Sequence, residues 1–546
     1  MTGPVRRKVA IIGAGVGGLL SIKSCLEEGL EPVCFEQLDK IGGVWNFTEK
    51  YFPGQGGCVY ESLRTNVSKE IMCISDFPMS AETNAFPTHR EVFQYLEDYA
   101  RHFDLIKHIQ FCTTVISVKK SNDYQVTGNW DVTYLHRQPD ARLLEEFEAS
   151  AADLRVETFN AVMACNGRHA LPNQPHVSGE DTFKGVFLHS IKYRSANTTE
   201  FRDQRVLVVG NAHSAGDVAM ASSNYASKTT ISIGKGTWII TKYQPNGLPF
   251  DLALRRVFLW LPEALVGFIM KKQANSSIDH AKYNIAPPGG PLHSTIMVND
   301  NIASAIKDGR ILVKPTLIGF HGNVAMFNDG TEEDVDTVVM ATGFQYDYSF
   351  LDIEADEDGM QSILYRQVWP GTLPHASAAL IGCLSTRGAA IPSIELQARW
   401  AARVFAGHAR LPDGETMLKE ARDRTSFMRA WFGRDRLIPA PNGIIYQDKL
   451  AEEIGAKPSF FKLLFKMPYL AFLCYFGPAF AVQYRLIGPH PWHGAPAATK
   501  AANANTVKGC PQYLESKGER TVTWKTIAAF GLGGIAAWLA FVVWLS

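Results

Sequence analysis

Three short apolar runs in this chain are each followed by a glycine-bearing turn. Val9-Ala10-Ile11-Ile12 runs into Gly13-Ala14-Gly15-Val16-Gly17-Gly18, then an amphipathic stretch over residues 19–28, then Pro32-Val33-Cys34-Phe35 ending at Glu36. Unbroken apolar runs bounded by glycines predict strands buried on both faces, and the amphipathic stretch predicts a helix that covers them. Arg205-Val206-Leu207-Val208-Val209 repeats the pattern: Gly210-Asn211-Ala212-His213-Ser214-Ala215-Gly216-Asp217 follows, then a helix and a strand over residues 229–233. Thr337-Val338-Val339-Met340 runs into Ala341-Thr342-Gly343-Phe344. Strands alternating with helices in this order predict an α/β protein with parallel sheets.

From Pro458 the pattern changes. Phe460, Phe461, Leu463, Leu464, Phe465 and residues 469–476 are apolar and aromatic, punctuated by Lys462 and Lys466. A buried core helix and a surface dipping into a bilayer both fit this stretch. Residues 257–270 are similar and are bounded by Arg255, Arg256, Lys271 and Lys272. Residues 526–546 contain no charge and approach the roughly 20 residues that span a bilayer as a helix. Trp524, Trp538 and Trp544 supply interface aromatics, with Arg520 and Lys525 on the N-terminal flank, so a C-terminal transmembrane anchor is expected.

At 546 residues the chain needs more than one core. Lys plus Arg and Asp plus Glu both total 54, so nothing points to a nucleic acid or another polyanion. The nine cysteines are scattered singly without a CxxC pair, which gives no support to a metal site or a dithiol redox centre. No signal peptide precedes Gly13.

The glycine turns carry the candidate chemistry. In Gly13-x-Gly15-x-x-Gly18 the first glycine permits the turn, the second lets backbone approach a pyrophosphate, and the third lets helix and strand pack closely. Glu36, at the end of the next strand, can bind ribose hydroxyls and favours an unphosphorylated ribose, as in FAD or NAD. The second turn keeps Gly210 but has Ala212 and Ala215 at the other two positions. No acid ends its next strand; Lys235, helped by Lys228, can pair with a 2′-phosphate and so selects NADPH. Two nucleotide sites in one chain suggest electron transfer from a nicotinamide to a flavin.

Phe183-x-Gly185-x-x-x-His189-x-x-x-Tyr193 resembles the identifying sequence of the flavin-containing monooxygenases, and Tyr193 matches that type where Baeyer–Villiger enzymes usually carry tryptophan. Gly42-Gly43-Val44-Trp45, Thr65-Asn66-Val67-Ser68-Lys69-Glu70, Ala341-Thr342-Gly343-Phe344, Gln397-Ala398-Arg399-Trp400 and Gln483-Tyr484-Arg485-Leu486 are similar too, so the resemblance covers nearly the whole chain. It implies two dinucleotide-binding Rossmann-like domains, the second inserted in the first: residues 1–170 and 331–455 for FAD, residues 171–330 for NADPH. A hydrophobic membrane-associated region (456–525) and the anchor (526–546) follow, on the endoplasmic reticulum membrane. Gly13, Ala14, Gly15, Val16, Gly17, Gly18, Glu36, Val44, Trp45, Asn66 and Val67 are expected at FAD. Thr65, Asn66, Gly210, Ser214, Ala215, Gly216, Asp217 and Lys235 are expected at NADPH, with Asn66 as the catalytic residue. His189 and His213 are expected to be structural rather than acid–base groups. The implied activity is NADPH- and O2-dependent oxygenation of soft nitrogen or sulfur nucleophiles through a C4a-hydroperoxyflavin. Baeyer–Villiger oxygenation and uncoupled release of hydrogen peroxide are the alternatives. A lipid bilayer is the expected partner; the substrate and a homo-oligomeric state stay open. Two positions depart from the family pattern: Ala212 replaces the close-approach glycine, and Gly234-Lys235 replaces a pair of arginines.

Overall fold

The computed structural model describes residues 7–51, 56–57, 59–137, 153–432 and 439–510. Its frame is two five-stranded sheets. The first is built from β1 (Lys8–Ile12), β2 (Glu31–Phe35), β3 (Ile109–Gln110) and β4 (Ala161–Ala164). The second takes β5 (Val186–His189), β6 (Arg205–Val209), β7 (Lys228–Ser232), β8 (Ile311–Lys314) and β9 (Thr337–Met340). The chain then returns to the first sheet as β10 (Ala378–Leu380), beside β4. The strand orders are β10-β4-β1-β2-β3 and β8-β7-β6-β9-β5, every pair parallel. The second sheet thus lies wholly between two strands of the first. The domain boundary expected at residue 330 falls too early, because β9 pairs with β6 from Val206↔Thr337 to Val209↔Met340.

The helices that frame the site are α1 (Val16–Glu27), α2 (His213–Ser222), α3 (Glu263–Ser277), α4 (Ala390–Phe405), α5 (Phe460–Lys466), α6 (Pro468–Phe476) and α7 (Ala495–Lys508). Both sheets are covered on two faces, which is why their strands read as unbroken apolar runs. On the first, Leu19 and Ile22 of α1 and Ala398 and Ala401 of α4 pack with Val9 and Ile11. Trp130, Val132 and Phe159 of a three-stranded antiparallel sheet pack with Ala10 and Val162 on the other face. The second sheet repeats the scheme, with Val218 and Ala219 of α2 under Val206 and Val208, and Phe320 and Phe327 of another antiparallel sheet against Leu207 and Val338.

Residues 456–510, the described part of the region expected to associate with a membrane, are largely core with one exposed aromatic face. Arg485 is buried, bonds Glu27 and Glu395, and pairs with Asp76. Arg399 of α4 donates to the Tyr484 carbonyl at 3.1 Å. Buried cations persist only where such partners satisfy them. The aromatic stretch divides by face: Leu463, Leu470, Leu473 and Cys474 are buried around Leu486, while Phe461 and Phe465 stand 71% and 87% exposed. Arg256 is not a surface cation, since it is buried against Asp448 at 3.0 Å. Among the described residues no helix is long and apolar enough to cross a membrane, and the expected anchor at 526–546 lies outside them.

Candidate active site

The first turn joins β1 to α1, which begins at Val16, so its free peptide hydrogens face the turn. A Cβ on Gly18 would lie 1.9 Å from the Gly13 carbonyl oxygen, so the chain's own packing demands glycine there. Gly15 is different. Its φ of −72° is ordinary, and a Cβ would meet only Gly43, at 3.5 Å. Nothing among the described residues requires Gly15 to be bare, yet it lines the groove between the helix end and the Gly43–Trp45 turn. A bare backbone at a helix N-terminus fits a pyrophosphate, and this groove fits FAD. Glu36 braces the turn, accepting from the Ala14 amide at 2.6 Å and the Leu38 amide at 2.9 Å. Burial raises its carboxyl above the usual range. A carboxylate accepts up to about four hydrogen bonds, so Glu36 keeps capacity for a ribose hydroxyl. Val44, Trp45 and Val67 are half-buried, with Val16, Trp45 and Val67 packed on the first core.

The second turn follows β6, and α2 begins at His213 with Ala212 as its extended cap. Ser214 is half-buried at the helix start, while Ala215 and Gly216 pack inward, Gly216 against Met297. Asp217 is engaged within the protein. Its oxygens accept from the Tyr60 hydroxyl and, at 2.7 Å, from the Asn299 amide. Gly210 donates to the Ser232 carbonyl. Lys235 is exposed just past β7, where a 2′-phosphate would lie. Lys228 cannot help it, because it starts β7 at the opposite end and pairs with Glu333 at 3.1 Å. Burial pushes both His189 and His213 down to about 4, so both are neutral. Each accepts a peptide hydrogen at Nδ1, from Ile191 and Val298, and neither is a proton donor near neutral pH.

Residues 56–57 and 59–70 connect the two bodies. Tyr60 bonds Asp217 of α2, the Glu61 amide donates to the Arg194 carbonyl, and the Ser68 amide donates to Asp251 at 2.6 Å. The Thr65 and Lys69 amides tie the same strip back to Pro87 and Ala85. Asn66 lies between these ties, half-exposed, and its side-chain amide has no hydrogen-bond partner among the described residues. Thr65 Oγ1 and Ser68 Oγ beside it are buried without partners. Orphaned buried polar atoms next to a free amide fit a polar ligand at this place. The sequence reading missed Tyr60, Asp251 and Asn299, whose bonds span 157, 183 and 82 residues and leave no local signal. No group of metal-ligating side chains exists among the described residues.

Two glycine turns at the carboxyl ends of parallel strands, joined by a strip with a free amide, define an α/β oxidoreductase for two nucleotides. The flavin-binding monooxygenase-like family model matches residues 6–543, and the chain belongs to that family. Dimethylaniline monooxygenase (N-oxide-forming) 2 of Oryctolagus cuniculus is 40% identical over 500 residues, 90% of each chain. Flavin-containing monooxygenase 2 of Homo sapiens is 39% identical over the same shares. The solved structure of S-allyl-L-cysteine S-oxygenase from Allium sativum superposes with a TM-score of 0.61 at 24% identity, covering 86% of this chain and 95% of that one. An open cyclohexanone monooxygenase superposes with a TM-score of 0.58 at 18% identity, covering 82% and 97%. These two likenesses show the fold. The protein is a flavin monooxygenase using FAD and NADPH.

Proposed function

We propose that this monooxygenase transfers one atom of O2 to a soft nitrogen or sulfur nucleophile of a small molecule, at a membrane surface. The observation that carries the reading is the strip that places Asn66, its amide unengaged, between ties to both bodies. The N-oxide-forming activity in the names of 40%-identical relatives supports a nitrogen nucleophile. In this reading the first body holds FAD along residues 13–18, Glu36, Val44, Trp45 and Val67, and the second holds NADPH along Gly210, Ser214, Ala215, Gly216 and Lys235. Bound flavin supplies a hydride acceptor and an oxygen-activating centre. The chain supplies the rest. The N-termini of α1 and α2 offer peptide hydrogens to phosphates. Asn66 both donates and accepts hydrogen bonds, and Thr65 Oγ1 offers a hydroxyl beside it. Val44, Trp45 and Val67 keep water from the reacting atoms.

Membrane association is read from exposed aromatics on two neighbouring segments. Trp260 (64% exposed) and Phe268 (65%) belong to one segment, Phe461 and Phe465 to the other. Trp260 and Tyr475 lie 6.4 Å apart, and Arg255 donates to the Phe476 carbonyl at 3.2 Å. Lys271, Lys272, Lys462 and Lys466 adjoin these segments in the sequence, which suits anionic headgroups. The charge-free tail, residues 526–546, is the proposed anchor in the endoplasmic reticulum membrane.

The test gives the full chain NADPH, O2 and one of three probes: N,N-dimethylaniline, methyl phenyl sulfide or cyclohexanone. N-oxide or sulfoxide formed with NADPH consumption is the expected result. A lactone as the sole product, or hydrogen peroxide accounting for all NADPH with every probe, overturns the proposal.

A further inference from the structure

The turn that carries Asn66 is fixed from three sides. Its own body holds the ends, through Thr65 to Pro87 and Lys69 to Ala85, each at 2.9 Å. The Lys69 ammonium lies within 2.8 Å of the carbonyls of Ser80, Ala81 and Thr83. Helix α7 reaches it through Thr506, whose hydroxyl donates to Glu70 at 3.1 Å. From the inserted body comes a carboxylate. Asp251 Oδ2 accepts the Ser68 amide hydrogen at 2.6 Å, two residues from Asn66. Asp251 is 1% exposed, and its Oδ1 is buried without a partner among the described residues. It is itself held in place: the Phe250 amide donates to the Lys242 carbonyl, and the Leu254 amide to the Asp251 carbonyl, both at 2.9 Å.

We infer that Asp251 is a positioning residue, through which the inserted body sets the place of the Asn66 amide. The inference rests on the proposed role of Asn66. A side chain that only filled space here would be apolar, since an acid buried with one oxygen unpaired is costly. The carboxylate earns its place through geometry, because its bond to Ser68 links the body that carries the NADPH turn to the turn that carries Asn66. A shift of the inserted body therefore pulls directly on the Ser68 peptide.

The experiment uses the full-length FAD-loaded protein and two variants, Asp251→Asn and Asp251→Ala. Asparagine keeps a carbonyl oxygen for the Ser68 amide; alanine removes it. The first readout is amide hydrogen exchange in peptides covering residues 65–72, compared with peptides from β1 and β6. Exchange near Ser68 should quicken roughly tenfold in Asp251→Ala, the scale of one lost hydrogen bond, and stay much closer to wild type in Asp251→Asn. The second is the split between half-reactions. In Asp251→Ala, flavin reduction by NADPH should persist while a several-fold larger share of NADPH ends as hydrogen peroxide, and Asp251→Asn should restore coupling. Wild-type exchange and coupling in Asp251→Ala overturn the inference, and so does equal loosening of β1 and β6. An Asp251→Asn variant that fails like Asp251→Ala also overturns it, because charge rather than position would then matter. Were Asn66→Asp fully coupled, the proposed role of Asn66 would fail instead, whatever Asp251 did to exchange.

Discussion

Two glycines of the first turn should respond oppositely to the same added methyl. A Gly18 Cβ would sit 1.9 Å from the Gly13 carbonyl oxygen, far inside van der Waals contact. Gly18→Ala must push α1 off β1 and should cost about 3 kcal/mol of stability, the upper end of overpacking. A Gly15 Cβ would meet only Gly43 at 3.5 Å, an ordinary contact at an ordinary φ. The entropic gain of Gly→Ala opposes the weaker capping of alanine, so apoprotein stability should stay within about 1 kcal/mol of wild type. The methyl instead occupies the approach of phosphate to the helix end. Losing one charged hydrogen bond there costs about 1.5–3 kcal/mol. That corresponds to roughly a 10- to 150-fold rise in the FAD dissociation constant. Thermal unfolding of flavin-free protein and titration with FAD by fluorescence separate the two effects. The reasoning fails if Gly15→Ala binds FAD like wild type, or if its apoprotein loses as much stability as Gly18→Ala.

Other consequences are equally open to measurement. Asn66→Asp removes an amide donor and adds a charge, so product formation should fall roughly a hundredfold, the loss of about 3 kcal/mol; flavin reduction by NADPH should largely survive in the same stopped-flow assay. For the second turn, Ala212→Gly with Lys235→Arg should tighten NADPH roughly tenfold through closer phosphate approach and a bidentate guanidinium, and should lower hydrogen peroxide release. Arginine belongs at 235 rather than 234, because Gly234 has φ +58°. Deleting residues 526–546 should abolish resistance to carbonate extraction while flotation with anionic vesicles persists, and adding Phe465→Ser should then weaken flotation severalfold. Burial pushes the Asp251 and Glu70 carboxyls up to about 6 and about 7, from ordinary values of 3.8 and 4.5. Such groups stabilise fully below their unfolded pKa and lose that contribution as pH rises through the folded one, so the unfolding midpoint should drop between about pH 4 and about pH 7. Asp251→Asn should flatten the part of that drop between about pH 4 and about pH 6, with Lys69, Glu70 and Cys510 still facing the site; an unchanged slope refutes the assignment.

What could be read from the chain alone was local. β6 and β9 occupy the residues their apolar runs predicted, because a strand buried on both faces has to be apolar throughout. Helix α1 begins at Val16, earlier than residue 19, because close packing of Gly18 on the Gly13 carbonyl outweighs the poor helix propensity of Gly17 and Gly18. The pairing of Lys228 with Lys235 failed on strand direction: the two lie at opposite ends of β7, and Glu333 takes the former. The aromatic stretch after Pro458 could not be resolved by composition, since its two faces have different surroundings. Arg485, which ties that region to Glu27, carries no sequence sign of a partner 458 residues away. At the site, the glycine turns were visible as patterns. The junction was not, because Tyr60–Asp217 and Ser68–Asp251 are single contacts between distant segments.

The two turns also differ in a way that suits their two ligands. At the first, backbone stands on both sides: a Cβ added to Gly43 would lie 3.1 Å from Gly15 Cα, so the Gly43–Trp45 turn closes over the helix end. A nucleotide threaded there is enclosed, and each of its phosphates loses little entropy that the protein has not already removed from the site. At the second, the close-approach position carries a methyl, and the candidate cation is an exposed lysine after β7. An ammonium on a flexible stem holds a phosphate less firmly than a planar guanidinium. In this chain the asymmetry favours exchange at the second turn. FAD must stay through every turnover, whereas NADPH must enter and its oxidised form must leave. A tighter second turn trades faster exchange for firmer retention of the oxidised nucleotide, whereas a first turn as open as the second would shed the flavin.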